Sequence, residues 1–322
     1  MLYGHSQDLA RAMPLIRRMR PAYWKCIDPD VNSAAECQAM GVKLIVRHAG
    51  PWDGGEPENH ITPLGFVRRC KAQPWWPYAW AVETPNEPHP GDLDWLTSAV
   101  IAFTDAGKEC VVGNWGTGWS GFHVPGAKWY GVHEYGWPLV ETQAPWHARR
   151  YESWFPAVQA HTPDARLLIT ECGVTQAVEG RADVGWQTGP SAAEYWGSLQ
   201  DYAARWPFYV EAAFVFQVGG FADWATFEVL GTSIEEWMAG QESAPSAPGG
   251  HSEEGAMPDN MTLGDGMRRK ADYLTEMVTG KQMTGERYLG DSADTKISYA
   301  IFERGKMEYY AGTGVTAWFP FA

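Results

Sequence analysis

Short apolar runs alternate with amphipathic stretches over the first 238 residues of the chain. Eight runs have the length and the β-branched or aromatic content of strands: Leu2–His5, Ala22–Ile27, Val42–Arg47, Tyr78–Glu83, Cys110–Asn114, Trp129–His133, Leu167–Thr170 and Ala212–Gln217. Between them, apolar positions at helical spacing predict helices over Gln7–Met19, Ser33–Met40, Pro63–Ala72, Leu93–Ala106, Arg149–His161 and Ala192–Arg205. The helical pattern is weakest after the fifth and eighth runs. Strand followed by helix, repeated eight times, predicts a parallel sheet closed into a (β/α)8 TIM barrel. A doubly wound sheet is the competing α/β arrangement, but no GxGxxG follows the first strand.

The pattern changes after residue 238. Between Ala239 and Pro258, ten of twenty residues are Gly, Pro or Ser, which predicts a flexible linker. Order is expected again over 259–322. A helix is predicted over Asp265–Val278, strands over Ile297–Phe302, Met307–Tyr310 and Val315–Phe319, and a hairpin turn at Gly305-Lys306. The organisation expected is a barrel over 1–238, a linker over 239–258 and a small α+β accessory module over 259–322, which carries no catalytic motif.

Composition narrows the function. The 322 residues are 45% hydrophobic and 20% charged, enough apolar material for a large core. A net charge of −14 argues against a nucleic-acid partner. No apolar run approaches the roughly 20 residues that span a bilayer, and the N-terminus has no apolar signal-peptide region. The expectation is a protein that is cytoplasmic or released by lysis, with no membrane partner. Cys26, Cys37, Cys70, Cys110 and Cys172 are odd in number and widely spaced, which predicts reduced, buried thiols. His60, His89, His123 and His147 lack metal-ligand spacing, so neither a metal nor a cofactor is expected. The 18 tryptophans outnumber both Tyr and Phe. Flat aromatic faces suit the apolar C–H face of a pyranose ring, which makes carbohydrate the expected partner.

In a parallel barrel the chemistry sits at the C-terminal ends of the strands. The fourth strand, in YAWAVETPNEPH, ends by presenting Asn86 and Glu87, and the seventh, in LLITECG, ends by presenting Glu171. Strict alternation would put Leu167, Ile169 and Glu171 on one face, with Cys172 opposite as packing. Two carboxylates facing one another across the mouth are what glycoside hydrolysis requires, one donating a proton to the leaving oxygen while the other attacks the anomeric carbon. The sixth strand adds His133 and Tyr135 on one side, with Glu134 pointing away; the third ends in Arg47 and His48. A cation near Glu171 would keep it ionised, and partial burial would keep Glu87 protonated. Glu83 is expected deeper in the barrel, in a structural role.

The Asn-Glu ending strand four, the His-x-Tyr of strand six and the lone Glu ending strand seven resemble the clan A glycoside hydrolases, the retaining (β/α)8 enzymes that include cellulases, mannanases and β-glucosidases. The resemblance covers roughly 1–238 and rests on motif order. It implies Glu87 as acid/base, Glu171 as nucleophile, Asn86 as a contact to the sugar 2-hydroxyl and Tyr135 beside the nucleophile. That clan often carries an Arg on strand two and a Trp ending strand eight. Here strand two offers Lys25 and Asp28, strand eight ends FVFQVGG, and Trp224 is the candidate for the aromatic role.

The resulting expectation is a retaining glycoside hydrolase acting on β-linked sugars in a polysaccharide. Its rivals are a carbohydrate-binding barrel without catalysis and a cell-wall lytic glycosidase, with viral derivation left open. Trp24, Trp80 and Trp129 are expected in the core; Trp52, Trp115, Trp119, Trp137 and Trp224 follow strand ends, where loops would build a cleft.

Overall fold

The computed structural model describes residues 1–51, 61–88, 92–116, 121–220 and 222–241, and in the C-terminal part the strand residues 287–289, 297–302, 305–310 and 315–320. The chain divides into two compact units, Met1–Ala247 and Pro248–Ala322.

The first unit is a closed barrel of eight strands in sequence order. They are β1 (Leu2–Ser6), β2 (Tyr23–Ile27), β3 (Lys43–Arg47), β4 (Ala79–Glu83), β5 (Glu109–Trp115), β6 (Trp129–Gly136), β7 (Arg166–Val174) and β8 (Val210–Phe216), each parallel to its neighbours, with β8 returning to β1. The helices are α1 (Leu9–Met19), α2 (Val31–Ala39), α3 (Pro63–Lys71), α4 (Leu93–Asp105), α5 (Phe155–His161), α6 (Ala192–Ala203) and α7 (Ser233–Ala239). All eight expected strands are present. Among the described residues no helix follows β5, where the pattern was weakest, and the stretch expected as one helix over 149–161 is a 3-10 turn (Arg150–Ser153) followed by α5.

The local reasons are ordinary. In α1, Leu9, Ala12, Met13, Ile16 and Met19 recur at helical spacing and are buried, while Asp8 caps the first turn by accepting from the Arg11 N–H. In α6 a capping box closes the start, Ser191 and Glu194 each satisfying the other's backbone N–H.

Two apolar layers result. The larger, between sheet and helices, includes Ile16, Trp24, Val46, Phe103, Val112, Tyr130, Ile169 and Cys172. The smaller fills the barrel interior: Tyr3, Tyr23, Ile45, Ala81, Val111, Leu168, Ala212 and Phe214, with Trp80 and Trp129 packed against it. Trp115, expected in a cleft loop, instead lies within β5 and is fully buried against Phe122, Tyr130 and Trp154. Trp52 and Trp119 lie outside the described residues. All five cysteines are buried and unbridged.

Strict alternation fails in β7. Leu167 and Ile169 belong to the outer layer and Leu168 to the interior. The pairing with β6 then slips, from Val132 opposite Ile169 to His133 opposite Glu171, leaving Thr170 as an extra residue. This bulge turns Glu171 inward, so Glu171 does not share a face with Leu167 and Ile169 as expected. A second slip lies in β5, where Gly113 pairs with Gly131 and Trp115 with Val132. The extra residue there is Asn114, at φ 46. The two bulges meet: Thr170 Oγ1 donates to Asn114 Oδ1 at 3.0 Å. They do so over Gly131, where a Cβ would lie 1.9 Å from that oxygen, so only glycine leaves the path open.

The second unit contains an antiparallel sheet in the order β12-β11-β10-β9, with β9 at Arg287–Leu289, β10 at Ile297–Phe302, β11 at Gly305–Tyr310 and β12 at Val315–Pro320. Phe302 pairs with Gly305 and Ile301 with Lys306, so Gly305 and Lys306 are strand residues rather than the expected turn. The helix expected over 265–278 lies outside the described residues, as does the linker beyond residue 241.

Candidate active site

Four barrel strands place an ionisable side chain two residues beyond an apolar interior one. On β1, His5 follows Tyr3; on β2, Lys25 follows Tyr23; on β3, Arg47 follows Ile45; on β4, Glu83 follows Ala81. With side chains alternating, each pair shares the inward face, the second residue about 6–7 Å nearer the C-terminal mouth. Glu171 receives these groups. Lys25 Nζ donates to its Oε1 at 3.3 Å, and Arg47 Nη1 and His5 Nδ1 lie 3.7 Å from the same oxygen. On the other oxygen, Tyr135 donates its hydroxyl to Oε2 at 2.8 Å, and His133 Nδ1 lies 3.6 Å away. Burial alone would raise the Glu171 pKa. The positive charges gathered around it, His133 and Lys25 foremost, outweigh burial and hold the carboxyl well below the usual glutamate range. His5 is driven the other way, chiefly by burial and by Lys25, and stays neutral. Tyr135, buried against an anion, is held protonated as a donor.

Glu87 sits in the turn after β4 with a left-handed backbone, φ 51. Its carboxylate reaches His133 Nδ1 at 3.1 Å and rests on Gly116, where a Cβ would lie 2.6 Å from its Cδ and Oε1. One ring nitrogen thus touches both carboxylates. The nearest oxygens of Glu87 and Glu171 are therefore no more than about 7 Å apart, which admits the roughly 5–5.5 Å of retaining pairs. The two differ in access: the Glu87 side chain is 46% exposed and that of Glu171 10%. Glu87 departs from expectation in charge. Burial raises its pKa, but the hydrogen bond and charge of His133 more than offset this, so the carboxyl lies below the ordinary value rather than being kept protonated.

The remaining expected residues do not all converge on one point. His133, Tyr135 and Arg47 converge on the two carboxylates, with Asn86 beside Glu87 and half-buried. His48 is turned elsewhere: its Nδ1 lies 2.7 Å from Asp28, and its ring packs near Phe66 and Trp75. Trp224 stands edge-on to Phe216 and Phe227, and Phe216 in turn is edge-on to Tyr135, so an aromatic wall continues from Tyr135 to Trp224. Trp137 is buried under Arg181. Glu83 is fully buried, 3.1 Å from Lys25 Nζ.

Sequence reasoning noted Lys25 only as a departure from a pattern; in space it supplies the cation of strand two. It missed His5, whose signal was available: an ionisable residue at the C-terminal end of an otherwise apolar strand. No group of three or more His, Cys, Asp or Glu among the described residues could hold a metal. No helix among them is long and apolar enough to cross a membrane.

No protein-family model matches the sequence, and no curated protein does. Solved structures similar in fold include Saccharomyces cerevisiae Gas2 in complex with laminaritriose and laminaritetraose (10% identity, covering 65% of this chain and 51% of that one, TM-score 0.39). Others are a β-glucuronidase from Ruminococcus gnavus in complex with a C6-substituted uronic isofagomine (11%, 67% and 43%, TM-score 0.45) and a calcium-binding mutant of Bacteroides uniformis β-glucuronidase 2 (9%, 99% and 42%, TM-score 0.46). The chain spans about half the length of the solved chains it matches.

Proposed function

We propose that the barrel is a retaining glycoside hydrolase acting on β-linked sugars, with Glu171 as nucleophile and Glu87 as acid/base. The observation that carries this reading is a buried, cation-held carboxylate and a half-exposed one at the C-terminal ends of β7 and β4, both within reach of His133 Nδ1.

Glu171 attacks the anomeric carbon; that bond forms as the bond to the leaving oxygen breaks, and the leaving oxygen takes a proton from Glu87. Glu87 is hydrogen-bonded to His133, and the neighbouring charge of Glu171 works to raise its hold on a proton. In the glycosyl-enzyme, Glu87 loses the repulsion of Glu171, which favours its anionic form and suits it to take a proton from the incoming water. Arg47, Asn86 and Trp224 are assigned to sugar binding, with His48 on the rim. A polysaccharide is the substrate we favour, with residues 259–322 as an accessory module.

The test is hydrolysis of a panel of aryl β-glycosides and β-linked polysaccharides by the parent chain, Glu87→Gln and Glu171→Gln, with product configuration followed by NMR. The reading expects retention, and losses of about 10⁴-fold or more in Glu171→Gln. Inversion would overturn the mechanism. Sugar binding without turnover in the parent would favour the binding barrel.

A further inference from the structure

Behind the site lies a buried arginine that the mechanism above does not use. Arg150, in the 3-10 turn before α5, is 6% exposed. Its guanidinium spreads over the ends of two strands: Nε donates to Glu134 Oε1 at 3.3 Å, Nη1 to the carbonyl of Gly116, and Nη2 to the carbonyls of Trp115 and, at 2.8 Å, His133. Glu134 is itself fully buried and also accepts from the Tyr202 hydroxyl at 3.1 Å and from the Arg149 N–H. A buried ion pair is a poor route to stability, because desolvating both charges costs about what their attraction returns. Its presence here calls for a gain of another kind.

The carbonyls that Arg150 holds supply it. Gly116 is the surface on which the Glu87 carboxylate rests, and His133 is the residue that hydrogen-bonds to it. One planar side chain therefore holds both walls of the Glu87 seat. We propose that Arg150 is a positioning residue for the acid/base: it locks the Gly116 and His133 backbones so that the Glu87 carboxyl meets the leaving oxygen. This rests on the assignment of Glu87 above.

General acid help matters in proportion to how poor the leaving group is, and this gives a readout that loss of stability cannot mimic. The experiment measures kcat/KM for a series of aryl and alkyl β-glycosides of rising leaving-group pKa in the parent, Arg150→Lys, Arg150→Met and Glu87→Gln, with thermal melts to confirm folding. Lys keeps the charge, but its three donors on one nitrogen cannot span the four acceptors that the planar guanidinium reaches. The expected result is a loss of about 100-fold in Arg150→Lys for alkyl leaving groups, shrinking to a few-fold for dinitrophenyl, the same slope in weaker form as Glu87→Gln. An equal loss across the series, or none, in a folded Arg150→Lys while Glu87→Gln shows the slope would overturn the proposal. Absence of the slope in Glu87→Gln itself would instead remove the acid/base assignment. Should Arg150→Met fail to fold, Arg150→Lys alone decides the matter.

Discussion

The floor and the mouth of the barrel are built by the same strands one pleat apart, yet they obey opposite rules. Tyr3, Tyr23, Ile45 and Ala81 form a dry apolar layer; two residues later come neutral His5 and the ionisable Lys25, Arg47 and Glu83, of which His5, Lys25 and Glu83 are fully buried. The floor stabilises by removing apolar surface from water. The mouth holds charges that, taken singly, burial disfavours, as the raised pKa of Glu83 shows, and they persist because each faces an opposite partner. The lesson is that the apolar layer and the ionisable one are separated here by about 6–7 Å along a strand rather than by domain.

That separation can be broken by substitution. Leu168→Ala, in the floor and fully buried, should cost about 2–5 kcal/mol of stability by chemical denaturation. The kcat/KM of its folded fraction should stay close to that of the parent. A comparable loss of kcat/KM would mean floor and mouth are coupled.

Gly116→Ala should do the reverse. The new methyl displaces the Glu87 carboxyl, and turnover should fall by about 100-fold with little change in the melting transition.

The smallest effect is expected for the double variant Lys25→Met/Glu83→Gln, which removes one buried pair together. In the proposed mechanism Glu171 must be an anion to attack, and its pKa is held low by surrounding cations against burial. Taking away Lys25 lets that pKa rise, so the acid limb of kcat/KM should move to higher pH, with about tenfold lower activity on that side. Stability has a matching sign. A depressed folded-state pKa stabilises fully above the unfolded value near 4.5 and is lost as pH falls below it. Acid destabilisation should therefore be shallower in the variant.

The barrel was legible because each strand is a compact β-branched or aromatic run, and those runs survive any detail of register. The candidate site was legible where a residue's position along the chain settles its place, as for Glu87 and Glu171 at strand ends. It was not legible where placement depends on distant partners. The anionic state of Glu87 is set by His133, 46 residues away. His48 turns to Asp28, and Trp115 goes into the core because β5 bulges at Asn114. Nothing local distinguishes Arg150 from the adjacent Arg149, which pairs with Glu141 and Glu152.

A strand's alternation of faces works like a reading frame of two, and Thr170 is a one-residue frameshift in it. Held in frame, β7 would put Thr170 in the mouth and deliver Glu171 to the apolar layer of Ile169 and Cys172, away from Lys25, Arg47 and Tyr135. The wrong frame is thus penalised by the residue it would misplace, and the Asn114 tether needs only to tip a balance already tilted. A chain lacking Thr170 altogether would restore regular alternation with Glu171 still facing inward. The direction of Glu171 would survive the deletion, and only the link to β5 would go.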